Sequence, residues 1–127
     1  MKALRPLLIF TFVLVSSIGL LTCGKYSNTT NSASTAVTTI TIPPSAAGMG
    51  PAAFGTNPLH VAMGTKVVWQ NADVMAHTAT SDTGVWDTGA INAGDTSAAT
   101  TFLYAGNYPY HCSIHGAASM SGTIIVP

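Results

Sequence analysis

The sequence predicts a small all-β domain, a sandwich or barrel, over residues 37–127. Three observations lead there. Thr, Ser, Gly, Val and Pro dominate after residue 25, which favours strands and turns over long helices. Short stretches of alternating apolar and polar residues recur between Gly, Pro and Asn turn signals. No helical periodicity and no internal repeat follow residue 36.

The elements follow in order. Val37 to Ile42 alternates, with Ile40 and Ile42 on one face and Thr39 and Thr41 on the other, and Pro43-Pro44 ends it. Residues 45–58, rich in Gly, Ala and Pro, form a long loop. Leu59 to Ala62 and Lys66 to Gln70 are short strands flanking a Gly64-Thr65 turn, with Trp69 as core. Ala76 to Ser81 is another strand, and residues 82–96, with three Gly and three Asp, are turns beneath which Trp86 packs. Ala98 to Tyr104 and Tyr108 to Cys112 flank an Ala105-Gly106-Asn107 turn, and Gly122 to Val126 closes the chain. Many short strands with turns between them indicate a sandwich or barrel.

The 127 residues suffice for one domain of ordinary size. Only 6% of them are charged, against about 25% in a typical globular chain. With four Lys and Arg in all and no basic cluster, the chain is not a nucleic-acid binder. Charge-driven disorder is excluded by the same count.

The first residues stand apart from the domain. Lys2 and Arg5 precede an apolar run over residues 6–21, shorter than the roughly 20 residues a membrane span needs. A positive start, a short apolar centre and a small-residue exit predict a signal peptide over residues 1–22. Leu20-Leu21-Thr22-Cys23-Gly24 resembles the bacterial lipobox, which implies a lipid on Cys23, although Thr22 stands where Gly, Ala or Ser is usual. Ordinary cleavage nearby and an uncleaved anchor are the alternatives. Residues 23–36 are small and polar, a flexible linker. The expected location is outside the cytoplasm, in the periplasm or at the cell surface, tethered to the membrane through Cys23.

One constellation carries chemistry. Within residues 108–122, Cys112, His115 and Met120 are spaced Cys-x2-His-x4-Met. A thiolate, an imidazole and a thioether on one tight loop are soft-to-borderline ligands. A second His completes a His2Cys set with a weak axial Met, which is a blue-copper electron-transfer site. His77, in Ala-His-Thr-Ala-Thr, is the natural second His. The Gly116-Ala117-Ala118 turn carries no bulk, so the loop can bring His115 and Met120 to one point. Each residue also has a plainer reading: Cys112 as a buried thiol or paired with Cys23, His77 and His115 as surface histidines, Met120 as core filler.

With Gly64-Thr65-x-Val67-Val68-Trp69-x-Asn71, His77-Thr78 and the Tyr-x-Tyr-x-Cys-x2-His-x4-Met-x-Gly-x-Ile ending, residues 37–127 resemble the cupredoxins, and among them the small plastocyanin-like blue copper proteins. The resemblance implies a Greek-key β-sandwich of seven or eight strands with one copper ion, cycling between Cu(I) and Cu(II), at one end. Carried over, the ligands are His77, Cys112, His115 and Met120, and the Thr78 N–H lies near the Cys sulfur. The His77-to-Cys112 interval is shorter than in plant plastocyanins, so a strand or hairpin between them is trimmed. Four scattered Asp leave no acidic docking patch. His111 stands where plastocyanins often have Tyr, and strand alternation turns it away from the metal. His60 is expected in solvent, and Met49, Met63 and Met75 in packing. Phe54 belongs either to the core or to a docking rim with Met49, Pro51, Ile114, Gly116 and Ala117.

The resulting expectation is a monomeric one-electron carrier serving redox partner proteins, with His115 as the electron port. The alternative is a copper storage, delivery or sensing protein. An enzyme is not expected. Copper oxidases built from such domains need at least two of them and further histidines, and this chain has four His in all.

Overall fold

The computed structural model describes residues 36–127, so the expectations for residues 1–22, for Cys23 and for nearly all of the linker lie outside the described residues. Seven strands run in chain order: β1 (Val37–Ile42), β2 (Leu59–His60), β3 (Lys66–Asn71), β4 (Thr80–Ser81), β5 (Thr100–Thr101), β6 (Gly106–His111) and β7 (Ser121–Val126). They form two sheets, ordered β1-β3-β5 and β2-β7-β6-β4. β1 is parallel to β3, β2 is parallel to β7, and the remaining pairs are antiparallel. The chain passes from one sheet to the other at each step from β1 to β6. This is the sandwich with Greek-key crossings that the resemblance implies.

Alternation decides which side faces inward. Ile40 and Ile42 on β1, Val67 and Trp69 on β3, and Ile124 and Val126 on β7 are all buried between the sheets. Each fully buried aliphatic side chain contributes about 1.5–3 kcal/mol of burial free energy. The middle of the core is aromatic. Trp69 stacks on Trp86 at 5.2 Å between ring centroids, and Tyr110 meets Phe54, Trp69 and Trp86 at 4.8, 5.6 and 5.7 Å. Trp86 thus packs from its turn-rich segment onto the core, as its position in the sequence suggests.

The expected strands at Leu59–Ala62, Ala76–Ser81 and Ala98–Tyr104 shrink to two residues each. Side chains explain part of this. Ser97 Oγ accepts the Trp69 N–H and Thr88 Oγ1 accepts the Ala79 N–H, so hydroxyls replace ladder carbonyls where the strands would have continued. The short β4 also accommodates Pro109. Inside β6, its carbonyl accepts the Asp82 N–H at 3.0 Å but it has no N–H to return, so the β4–β6 ladder ends there at Ser81.

Candidate metal centre

The site begins where β6 ends. β6 stops at His111, and Cys112 is the first residue beyond it. The Cys112 N–H donates to the Met120 carbonyl at 3.1 Å. Between them the chain turns tightly: Gly116 N–H donates to Cys112 O at 2.8 Å, and the Ser119 and Met120 N–H groups donate to Gly116 O at 3.0 and 3.1 Å. Gly116 sits at φ +80°, where a side chain would be strained, so glycine is what lets the loop close over so few residues. A second loop is stitched to this one. Gly48 and Gly50 N–H both donate to Ser119 O, and Ser121 N–H donates to Gly50 O.

His77 arrives from elsewhere. It pairs with Ile91 through two backbone hydrogen bonds, His77 N–H to Ile91 O at 3.1 Å and Ile91 N–H to His77 O at 2.8 Å. The next residue ties it to the Cys112 loop. Thr78 N–H donates to Cys112 Sγ at 3.4 Å, as the resemblance implies, and Ser113 N–H donates to Thr78 Oγ1 at 2.8 Å. Cys112 Sγ then lies 3.9 Å from His77 Nδ1 and 3.4 Å from His115 Nδ1, and the three ligand atoms all fall within 4.8 Å of one another. A single ion with bonds of about 2.0–2.3 Å to nitrogen and sulfur would set three such atoms about 3.5–4 Å apart. The donors fit one metal ion. Two imidazoles and a cysteine sulfur are donors that suit copper, and the wholly buried Met120 is joined to Cys112 through its backbone.

His77, Cys112 and Met120 are fully buried, whereas His115 is only half-buried, as its place on the turn suggests. Of the expected rim, Met49, Pro51, Ile114 and Ala117 are exposed and Gly116 is half-buried. Phe54 is not part of it. It is 2% exposed and tilts against Tyr110, so the core reading is the correct one. The expected packing role of Met49, Met63 and Met75 also fails, for they are 43%, 41% and 48% exposed on turns around the sandwich. His60 is exposed, and His111 turns outward to Asp82, with Nδ1 2.5 Å from Oδ1.

Asp73 is a site residue that sequence reasoning does not single out. It is 4% exposed, and its Oδ2 lies 3.0 Å from His77 Nε2. Ala46 N–H also reaches Oδ2, and Val74 N–H reaches Oδ1 at 2.7 Å. The hydrogen bond with His77, followed by the backbone N–H of Ser45, holds the Asp73 carboxyl at about 2 against the opposing effect of burial. An ionised carboxylate only accepts, so His77 Nε2 donates to it, and Nδ1 is the nitrogen that faces Cys112 and would meet a metal. The one available signal is the Asp-x3-His spacing in a chain with four acidic residues.

The profile of the copper binding proteins, plastocyanin/azurin family, matches residues 44–127. The chain belongs to this family. Among solved structures, this cupredoxin is similar to a purple cupredoxin from Nitrosopumilus maritimus, with 28% identity and a TM-score of 0.60 over 70% of this chain and 98% of that one. It is similar to a reduced Cu(I) form at pH 4 of a proline-to-glycine mutant of amicyanin, with 26% identity and a TM-score of 0.57 over 75% and 85%. A methionine-to-alanine mutant of amicyanin in its Cu(I) form gives 29% identity and a TM-score of 0.56 over 72% and 82%. Among curated protein sequences there is no significant match. Family membership and the His77, Cys112, His115 cluster together support one copper ion as the cofactor of this cupredoxin.

Proposed function

We propose that this cupredoxin is a one-electron carrier between redox partner proteins outside the cytoplasm, with His77, Cys112, His115 and Met120 as the copper ligands. The observation that carries the reading is the convergence of His77 Nδ1, Cys112 Sγ and His115 Nδ1 at 3.4–3.9 Å from the sulfur, from two separate parts of the sandwich. A bound copper ion would supply a one-electron couple with no bond made or broken in a substrate. The protein's own residues do the remaining work. The Ile91 pairing and the Asp73 carboxylate fix the His77 ring, and the Thr78 N–H shields the sulfur's charge. Complete burial of Cys112 keeps water from the thiolate.

His115, the most exposed of the four, is the port for electrons. The exposed Ile114 and Ala117 beside it on the ligand loop, with the exposed Met49 and Pro51 on the loop bonded to Ser119 and Ser121, support a small apolar contact, suited to a brief encounter. Carriage rather than catalysis is the role proposed, since His77, Cys112, His115 and Met120 account for one copper ion and copper oxidases built from such domains need at least two of them. His111, held to Asp82 on the outer face, is not poised to pass copper on. The apolar run over residues 6–21 and Cys23 support export and a lipid tether.

The test is to titrate the metal-free protein with Cu(II) while recording the visible spectrum and EPR. One equivalent giving an intense thiolate-to-copper band and a narrow copper hyperfine splitting bears the reading out. A pale solution with an ordinary Cu(II) signal overturns it. Rapid surrender of copper to an acceptor protein would favour delivery over electron carriage.

A further inference from the structure

Every hydrogen-bonding feature around Asp73 holds a negative charge in one place. Its Oδ2 takes the Ala46 N–H at 3.2 Å and its Oδ1 the Val74 N–H at 2.7 Å, while its own N–H donates to Asn71 Oδ1 at 2.9 Å. Asn71, fully buried, is itself pinned by donating to the Met75 and Ile91 carbonyls. Ile91 is the residue that pairs with His77, so the anion and the imidazole are set by one web. Ser45, just before Ala46, has φ +63°, a backbone position unfavourable for a residue with a side chain. The chain accepts strain there in the segment whose N–H groups meet the carboxylate. Burial, four partners and local strain exceed what orienting a ring requires, for which one backbone carbonyl suffices.

We propose that Asp73 is a positioning residue that, acting through His77, biases the copper couple toward its oxidised form. The inference rests on the carrier reading above. A carboxylate on Nε2 makes the imidazole a stronger donor at Nδ1, and a fixed negative charge beside the site favours the more highly charged ion. Reduction takes one electron from a reduced partner protein and no proton, so the Asp73 charge is present in both states and opposes the gain of the electron. Asp73 is therefore a determinant of the site's potential that is independent of the axial Met120.

Asp73→Asn keeps the shape and removes the charge. Loss of an outer partner to a ligating His weakens metal binding by about 10–100-fold. With the loss falling on Cu(II), a tenfold drop in its affinity relative to Cu(I) raises the potential by about 59 mV. The measurement is voltammetry of the copper-loaded wild type and variant. Nitrogen-15 NMR of His77 in the metal-free wild type accompanies it and needs no variant. The expected results are a raised potential with the thiolate band retained, and His77 protonated at Nε2. A variant that stays blue with an unchanged potential overturns the inference and leaves the carrier reading standing, as does His77 protonated at Nδ1. A wild type that forms no thiolate–copper band is a failure of the carrier reading itself.

Discussion

Gly122 lies opposite Tyr110 in the β6–β7 ladder, and its backbone is not in the left-handed region. Alanine there suits the backbone, and by unfolded-state entropy alone Gly122→Ala should stabilise the protein by about 0.4–1 kcal/mol. The structure predicts the opposite sign. A Cβ at Gly122 would stand 2.6 Å from both Cζ and Oη of Tyr110 and 2.9 Å from Cε1. Carbon atoms pack best at about 3.5–4.0 Å, so the ring edge has to retreat by about 1 Å. It has nowhere to go, because Phe54, Trp69 and Trp86 wall it in at 4.8, 5.6 and 5.7 Å. Overpacking of this kind costs about 1–3 kcal/mol. After the entropic gain, a net loss of about 1–2 kcal/mol remains, a fall in Tm of about 4–16 °C for a domain of this size. Thermal and urea unfolding of the metal-free protein, followed by Trp fluorescence and circular dichroism, measures it. The same substitution in a Tyr110→Leu background should cost little, since the clashing ring is gone. An unchanged or raised Tm for Gly122→Ala, or an equal loss in both backgrounds, would refute the reasoning.

Other outcomes follow from the same geometry. Thr78→Val leaves the N–H on Cys112 but deprives the Ser113 N–H of its acceptor, and should lower the urea stability by about 1–2 kcal/mol. Met120→Gln should remain blue while its potential, read by voltammetry, falls, because the axial ligand tunes the couple; no shift means that Met120 is not axial. Stopped-flow rates with a redox partner should vary little with ionic strength, given the sparse charge and the exposed apolar Ile114 beside His115 in the chain. Burial pushes the Tyr110 phenol up from its ordinary value of 10.0. The folded state therefore keeps a proton that the unfolded state releases, and stability falls as pH rises above about 10. Tyrosinate absorbance from Tyr110, isolated by comparison with Tyr110→Phe, should appear only as the protein unfolds.

Local pattern suffices for much of this protein. Ile40, Ile42 and Trp69 declare their inward faces by alternation, and the bounds of β1, β3, β6 and β7 fall within two residues of those that pattern suggests. The ligand loop is legible because its chemistry is packed into nine residues, from Cys112 to Met120, around a turn that only small residues allow. What depends on distant parts of the chain is not legible. Asp73 looks like any turn acid until Ser45 and Ala46, more than 25 residues upstream, bring their N–H groups to it. Phe54 sits in a loop of Gly, Ala and Pro and becomes core only because Tyr110 is waiting for it. The exposed Met49, Met63 and Met75 show the reverse error, since an apolar side chain in a turn has no partner that the sequence can name.

The stitching of Gly48 and Gly50 to Ser119, and of Ser121 back to Gly50, bears on how this centre could be transplanted. A graft of residues 112–120 into another sandwich would carry three of the four proposed ligands but leave behind the backbone brace on the residues either side of Met120. Such a chimera should take up copper and yet show a potential that wanders with the host, until the 48–50 segment is moved with it. For protein engineers, the transferable unit is a pair of loops.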